Sequence, residues 1–333
     1  MKRRRLGSSK LQVSEVSLGC MGMSEFYGRT DEAESLRTID AAIDSGINLL
    51  DTADMYGRGA NEILVGGAIQ GKRNGLLIAT KFGIVREEGG KRRDGRPEYV
   101  RQACESSLRR LRIETIDLYY LHRLDPETPI EDTVEAMSNL VRQGKVRFLG
   151  LSKLEPDILR RAQSVHPIAA LQMEYSLWER TIEQEVLATC RQLDIALVAY
   201  SPLGKGFLGG SVKSLDGLDE DDWRRRDPRF QAGKIESDLQ RLSALQQLAE
   251  TRGCTTAQLS LAWLLHQGED IIALPGTRRV SRLSENTRAG EIRLSKEDLS
   301  AIDRIMPGPL SSANHIIFPP FRELTENGPT RPA

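Results

Sequence analysis

The feature that most constrains this chain is an eightfold alternation of short apolar runs with longer amphipathic ones. The short runs are Val16–Gly19, Ile47–Asp51, Leu76–Lys81, Ile116–His122, Val146–Ser152, Ala169–Gln172, Ile195–Ser201 and Ile271–Leu274. Several are almost continuously apolar, the pattern of parallel strands buried on both faces. The stretches between them read as helices. Asp31 with Glu34 has N-cap and capping-box spacing, Leu36, Ile39 and Ile43 mark one apolar face, and Gly46 closes the turn. Thr128, Pro129 and Glu131 read as a second start, with Thr128 as the N-cap; Thr255 with Gln258 and Ser295 with Asp298 read as two more. Eight such units in 333 residues predict an α/β fold, a (β/α)8 TIM barrel, in preference to an open doubly wound sheet. The glycine fingerprint of the open alternative is missing, since the first strand runs into Gly19-Cys20-Met21-Gly22. An N-terminal hairpin over Arg3–Val13 and extra C-terminal helices complete a single expected domain over residues 1–333. The charged segment Gly209–Lys234 reads as a long irregular insertion, and loops of that length often cover a site.

Charge and composition narrow the function. Lys plus Arg and Asp plus Glu both total 47, which argues against a dedicated nucleic-acid binder. No apolar run reaches the roughly 20 residues of a membrane span, and the N-terminal residues lack the apolar core of a signal peptide. Four cysteines (Cys20, Cys104, Cys190 and Cys254) are scattered without a CxxC pair, so neither a disulfide framework nor a metal site is expected. The expectation is a cytoplasmic protein with reduced thiols.

Polar residues recur where the apolar runs end: Asp51, Lys81, His122, Ser152, Gln172 and Ser201. In this fold the active site lies at that rim. Singly, a strand-end Asp or Ser is often a helix cap and a lone His a structural residue. A Lys closing an apolar run is harder to account for, because an ammonium buried without a partner is costly. Asp51 can be that partner.

These residues carry a resemblance. Leu50-Asp51-Thr52-Ala53-Asp54-Met55-Tyr56-Gly57, Thr80-Lys81-Phe82-Gly83 and Leu121-His122-Arg123 resemble the catalytic motifs of the aldo-keto reductase superfamily. The similarity continues in order through Gly150-Leu151-Ser152, Leu171 to Trp178, Ser201-Pro202-Leu203-Gly204-Lys205-Gly206, Pro275-Gly276-Thr277-Arg278 and Glu285-Asn286. The contexts of Met21-Gly22-Met23 and Trp178 look most like the bacterial and plant branch that holds perakine-reductase-like and auxin-induced-like proteins.

The resemblance implies NADPH-dependent reduction of an aldehyde or ketone by hydride transfer. It implies a tetrad of Asp51, Tyr56, Lys81 and His122, with Tyr56 as general acid, its pKa lowered by Lys81, and His122 orienting the carbonyl. NADP(H) would be held by Ser152 and Gln172 at the carboxamide, with Tyr175 or its neighbours supporting the ring. Ser201, Leu203, Gly204 and Gly206 would lie along the pyrophosphate, offering free backbone N–H groups. Thr277, Arg278 and Arg282 would meet the adenosine 2′-phosphate, where the arginine fork suits a phosphate, and Glu285 and Asn286 the adenine. Met23, Phe26, Tyr27 and Trp178, with Phe318 or Phe321 from the tail after about residue 308, would line an apolar or aromatic substrate pocket. Two departures stand out: Lys153 where many relatives have Asn, and Gly276 where a lysine is common.

Two other readings use the same residues. Lys81 at a barrel strand end is suited to Schiff-base chemistry, as in a lyase. A slow-turnover redox sensor or regulatory subunit would also retain the tetrad. The expected partner is a small carbonyl compound, with no nucleic acid and no membrane.

Overall fold

The structure, a computed structural model, describes residues 1–308 apart from 88–89, 211, 213 and 232–234. Eight strands run parallel in sequence order: β1 (Leu18–Gly19), β2 (Leu49–Asp51), β3 (Leu77–Phe82), β4 (Ile116–Leu121), β5 (Val146–Ser152), β6 (Ile168–Glu174), β7 (Ala196–Tyr200) and β8 (Ile271–Leu274). The first and last meet through parallel bridges Val16–Ala273 and Gly19–Gly276, which close the sheet into the expected barrel. Helices α1 (Glu32–Asp44), α2 (Ala60–Ala68), α3 (Pro97–Leu111), α4 (Ile130–Arg142), α5 (Pro156–Val165) and α6 (Val186–Gln192) follow β1 to β6 in turn. Two helices, α7 (Ile235–Thr251) and α8 (Thr256–His266), connect β7 to β8; α9 (Val280–Thr287) and α10 (Lys296–Ile305) follow.

Helix starts follow local chemistry. Asp31 accepts from the Glu34 amide at 2.9 Å, and full capping boxes form at Thr255/Gln258 and Ser295/Asp298. The expectation at Thr128 is wrong: α4 has Pro129 as its N-cap, because the Thr128 hydroxyl donates instead to Asp125 at 2.8 Å. The N-terminal hairpin pairs Arg3–Arg5 with Gln12–Ser14 and delivers Leu6 and Val13 to the barrel floor. A second hairpin, Ile84–Glu87 against Gly90–Arg93, follows β3; its charged strands gave no apolar signal.

Side-chain alternation decides what reaches the site. The lumen is filled by Leu49 of β2, Leu77 and Ala79 of β3, Leu118 and Tyr120 of β4, Ala170 of β6, and Ala196 and Val198 of β7. Strand residues two apart share a face, so the next inward positions are Asp51, Lys81, His122, Gln172 and Tyr200. On β5 the inward set is Phe148, Gly150 and Ser152. Gly150 lacks a side chain because Tyr120 occupies its space: a Cβ there would lie 2.4 Å from the tyrosine ring.

Candidate active site

One layer of the lumen therefore presents an acid, a lysine, a histidine, a serine, an amide and a tyrosine at the C-terminal rim. Lys81 is fully buried and Asp51 nearly so. The Lys81 Nζ donates to Asp51 Oδ1, to the Thr52 carbonyl at 2.8 Å and to the Tyr56 hydroxyl at 3.3 Å. Asp51 Oδ2 accepts from Gln172 Nε2 at 2.8 Å. Burial disfavours the ammonium, but Asp51 and then Tyr56 outweigh it, and the Lys81 pKa is raised.

Tyr56 stands on the β2–α2 connection, folded back by left-handed backbone at Gly57 (φ 55°) and Arg58 (φ 53°). Lys81 does pull its pKa down, as expected, but burial raises it by more, and the net phenol pKa is raised. Tyr56 is thus held as a protonated donor. The His122 ring meets the Tyr56 ring edge-on at 5.8 Å, and its buried Nδ1 has no hydrogen-bond partner. Burial first, then the charges of Arg123, Lys81 and Lys153, hold His122 well below its usual pKa, so the imidazole is neutral.

Behind this layer are residues the sequence reading passed over. Asn61 accepts from Thr52 Oγ1 at 2.6 Å and donates to the Cys20 carbonyl at 2.8 Å and Ser24 Oγ at 2.7 Å, fastening the Tyr56 loop to the β1 loop. Glu62, fully buried, accepts from Thr80 Oγ1 and Arg110 Nε, both at 2.6 Å. On a helix such residues look like ordinary surface polarity. Tyr200, by contrast, was legible from its parity with Ala196 and Val198. Strand β7 ends there, and Ser201 (φ 50°) opens the loop. Tyr175, expected near the cofactor ring, faces outward; its hydroxyl donates to Glu183 at 2.8 Å and its ring packs edge-on against Trp263.

The remaining expected residues fall in three places. Ser152 Oγ lies at the rim, 3.4 Å from the Arg123 guanidinium. In the β7 loop, left-handed Gly204 (φ 55°) leaves room for Trp178, which a Cβ would approach to 2.9 Å. The Gly204 and Gly206 amides are not free as expected: they donate to the Ser201 and Leu203 carbonyls at 2.9 and 3.0 Å, because the segment coils into tight turns. At the β8 end, Arg278 donates to the Tyr27 and Gly22 carbonyls at 3.0 and 3.4 Å, and Arg282 pairs with Glu285 at 3.0 Å. Thr277 Oγ1 accepts from the Arg279 amide at 3.1 Å, and Asn286 is buried nearby.

Of the expected substrate residues, Phe26 packs against the cluster that holds Tyr56 and Ile84, and each of the others has a partner of its own. Met23 joins the shell between strands and helices. Tyr27 lies under the Arg224 guanidinium, Phe26 under Arg86 and Lys91, and Trp178 stacks on Phe207 with its Nε1 bonded to Asp238 at 2.8 Å. Trp223 and Arg224 pack onto Tyr27, and Arg229 and Phe230 onto Trp178. Phe318 and Phe321 lie outside the described residues.

A closed (β/α)8 barrel with a buried Asp–Lys–Tyr relay and a neutral histidine at its rim defines a class of barrel oxidoreductases acting on carbonyl compounds. Residues 15–307 match the model of the aldo/keto reductase family, and the chain belongs to that family. Its structure is similar to the glycerol dehydrogenase AKR11B4 of Gluconobacter oxydans, at 34% identity and a TM-score of 0.84 over 93% of this chain and 98% of the other. It is also similar to the holo form of the aldo-keto reductase AKR11C1 of Bacillus halodurans (30%, 0.78, covering 94% and 99%). A third is an aldo/keto reductase of Klebsiella pneumoniae in complex with NADP and acetate (30%, 0.73, covering 93% and 97%). NADP(H) is the cofactor of this family. Among the described residues no helix is long and apolar enough to cross a membrane, and no cluster of His, Cys, Asp and Glu suits a metal ion.

Proposed function

We propose that this chain reduces an aldehyde or ketone to the alcohol with NADPH, and that Tyr56 is the general acid. The observation that carries this reading is the relay from Asp51 through Lys81 to the Tyr56 hydroxyl, set beside a histidine that cannot easily take a proton. A carbonyl oxygen at the rim accepts the Tyr56 proton as negative charge develops on it. Lys81, kept charged by Asp51, stabilises the phenolate that is left. Neutral His122 donates a hydrogen bond to the same oxygen and fixes its direction. Bound NADPH supplies the hydride.

The donor set fits that cofactor. Ser152 and Gln172 bring a hydroxyl and an amide to the rim, chemistry that suits a carboxamide-bearing ring. Arg278 and Arg282 supply guanidinium groups for a phosphate at the β8 end, with Thr277 beside them; Glu285 and Asn286 follow on α9 for the adenine. The small, turned segment Ser201, Leu203, Gly204 and Gly206 would pass along the pyrophosphate. A raised Lys81 pKa speaks against Schiff-base chemistry, which needs the free amine.

Fluorescence titration with NADPH and NADH, then loss of nicotinamide absorbance with small aldehydes, tests the proposal. NADPH preference with aldehyde-dependent oxidation supports it, whereas borohydride trapping of an adduct on Lys81 overturns it.

A further inference from the structure

Beside the partly buried aromatic residues, a set of cationic side chains stands close to the reacting groups. Arg123 follows His122 directly. Its guanidinium donates to the His122 carbonyl and to Ser152 Oγ, and its charge acts on both Tyr56 and Tyr200. Lys153 follows Ser152 directly, in left-handed backbone (φ 54°), with its Nζ 5.3 Å from the centre of the Tyr200 ring. The two side chains thus approach from β4 and β5, on either side of the inward serine. Lys91 and Arg93, on the hairpin after β3, add positive charge felt by His122 and Arg123 respectively.

We propose that the carbonyl substrate carries a carboxylate, received by Arg123 and Lys153 beside Tyr56 and His122. This rests on the reductase reading above. Arginine's planar fork matches the two oxygens of a carboxylate, and lysine adds a point charge from the second strand. Both groups keep the partners they have, and the carboxylate joins them. Burial pulls the Arg123 pKa down and, with Arg123 adding repulsion, pulls that of Lys153 well down. An anion between them relieves both. Glu174 marks the limit of that charge: it stands on the same side, taking a bond from Arg229 at 2.8 Å with Lys205 at 3.9 Å. Its repulsion penalises a dianionic phosphate more than a monoanionic carboxylate.

The test compares 4-carboxybenzaldehyde with its methyl ester, which keeps the ring and the aldehyde but loses the charge, and whose more electron-poor carbonyl is intrinsically the more reactive toward hydride. The wild-type enzyme with NADPH should favour the acid in kcat/KM by about ten- to hundredfold, the range for a charge-assisted bond in a partly dry site. The acid-to-ester ratio should fall toward one in the Arg123→Met, Lys153→Met double variant, with Arg123→Lys recovering part of it. A wild-type ratio near one overturns the inference, as does a preference that the double variant keeps. Should the double variant fail to fold, the ratio in Lys153→Met alone decides. If neither aldehyde consumes NADPH, the reductase reading fails. Binding then judges the anion site separately: tryptophan quenching by 4-methylbenzoate but not by its methyl ester, lost in Lys153→Met, supports it, and equal or absent quenching overturns it.

Discussion

Each end of the barrel buries a cation, and the two are handled in opposite ways. At the floor, Arg4 is 5% exposed and donates to the carbonyls of Gly268, Ile271 and Leu265, with Glu15 at 3.4 Å. Most of its donors end on backbone, which cannot change charge or leave. At the rim, Lys81 is 0% exposed but reaches two ionisable side chains, Asp51 and Tyr56. Arg4 staples the hairpin to the β8 seam; Lys81 is placed where a neighbour's protonation state matters to it. The lesson is that burial of a charge says little about function until the chemistry of its partners is known.

The sharpest way to break this contrast is at Tyr56. Tyr56→Phe should cost about 10²- to 10⁴-fold in kcat, the usual range for a positioned acid, with NADPH affinity changed less than about threefold. Steady-state assays and cofactor fluorescence read the two. Next come the cations themselves. Lys81→Met and Arg4→Met should each lose about 3–5 kcal/mol in denaturant melts, since each strands a buried carboxylate. Only Lys81→Met should lose turnover per folded molecule. Equal turnover losses would erase the distinction between the two ends.

A smaller effect is expected from His122. Its folded-state pKa lies well below the unfolded value of about 6.5, so the unfolded chain takes up the proton first. Its contribution is full above that value and is lost as pH falls below it, at about 1.4 kcal/mol per pH unit. His122→Gln should flatten this slope in melts between pH 6.5 and 5. The smallest effect concerns Asp54, which burial, with Glu62 adding repulsion, raises to about 8. A raised carboxyl pKa means stability present below about 4 and lost as pH rises toward 8. Asp54→Asn should therefore gain on the wild type across that window, by about 1–2 kcal/mol at pH 8 after allowing for relaxation.

Much of this molecule was legible from its strands. Runs such as Leu77–Phe82 and Ile116–Leu121 are buried on both faces, so hydrophobic composition alone located them, and polar residues such as Lys81 and His122 near their ends located the rim. What composition could not convey was the parity within each run. Asp51, Lys81, His122 and Gln172 share the inward face with the lumen residues before them, whereas Ser201 does not, and Tyr200 was overlooked beside it. The Ile84–Arg93 hairpin stayed hidden because charged residues such as Arg86, Lys91 and Arg92 fill both of its strands. Thr128 and Tyr175 were misread for a common reason: each has a tertiary partner, Asp125 or Glu183, that a local pattern does not reveal. The contacts of Tyr27 and Trp178 with Trp223, Arg224, Arg229 and Phe230 were not legible either, because those partners are distant in sequence.

The seam between β1 and β8 has a consequence for how this chain comes to exist. Val16 is synthesised well before its bridge partner Ala273. Until then β1 is an open sheet edge, and the floor around Arg4 waits for the carbonyls of Leu265, Gly268 and Ile271. Ring closure over so long a loop carries a large entropic cost before any contact repays it. A nascent chain, or one cut before β8, therefore exposes a strand edge until β8 is made, the state in which such proteins most need chaperones.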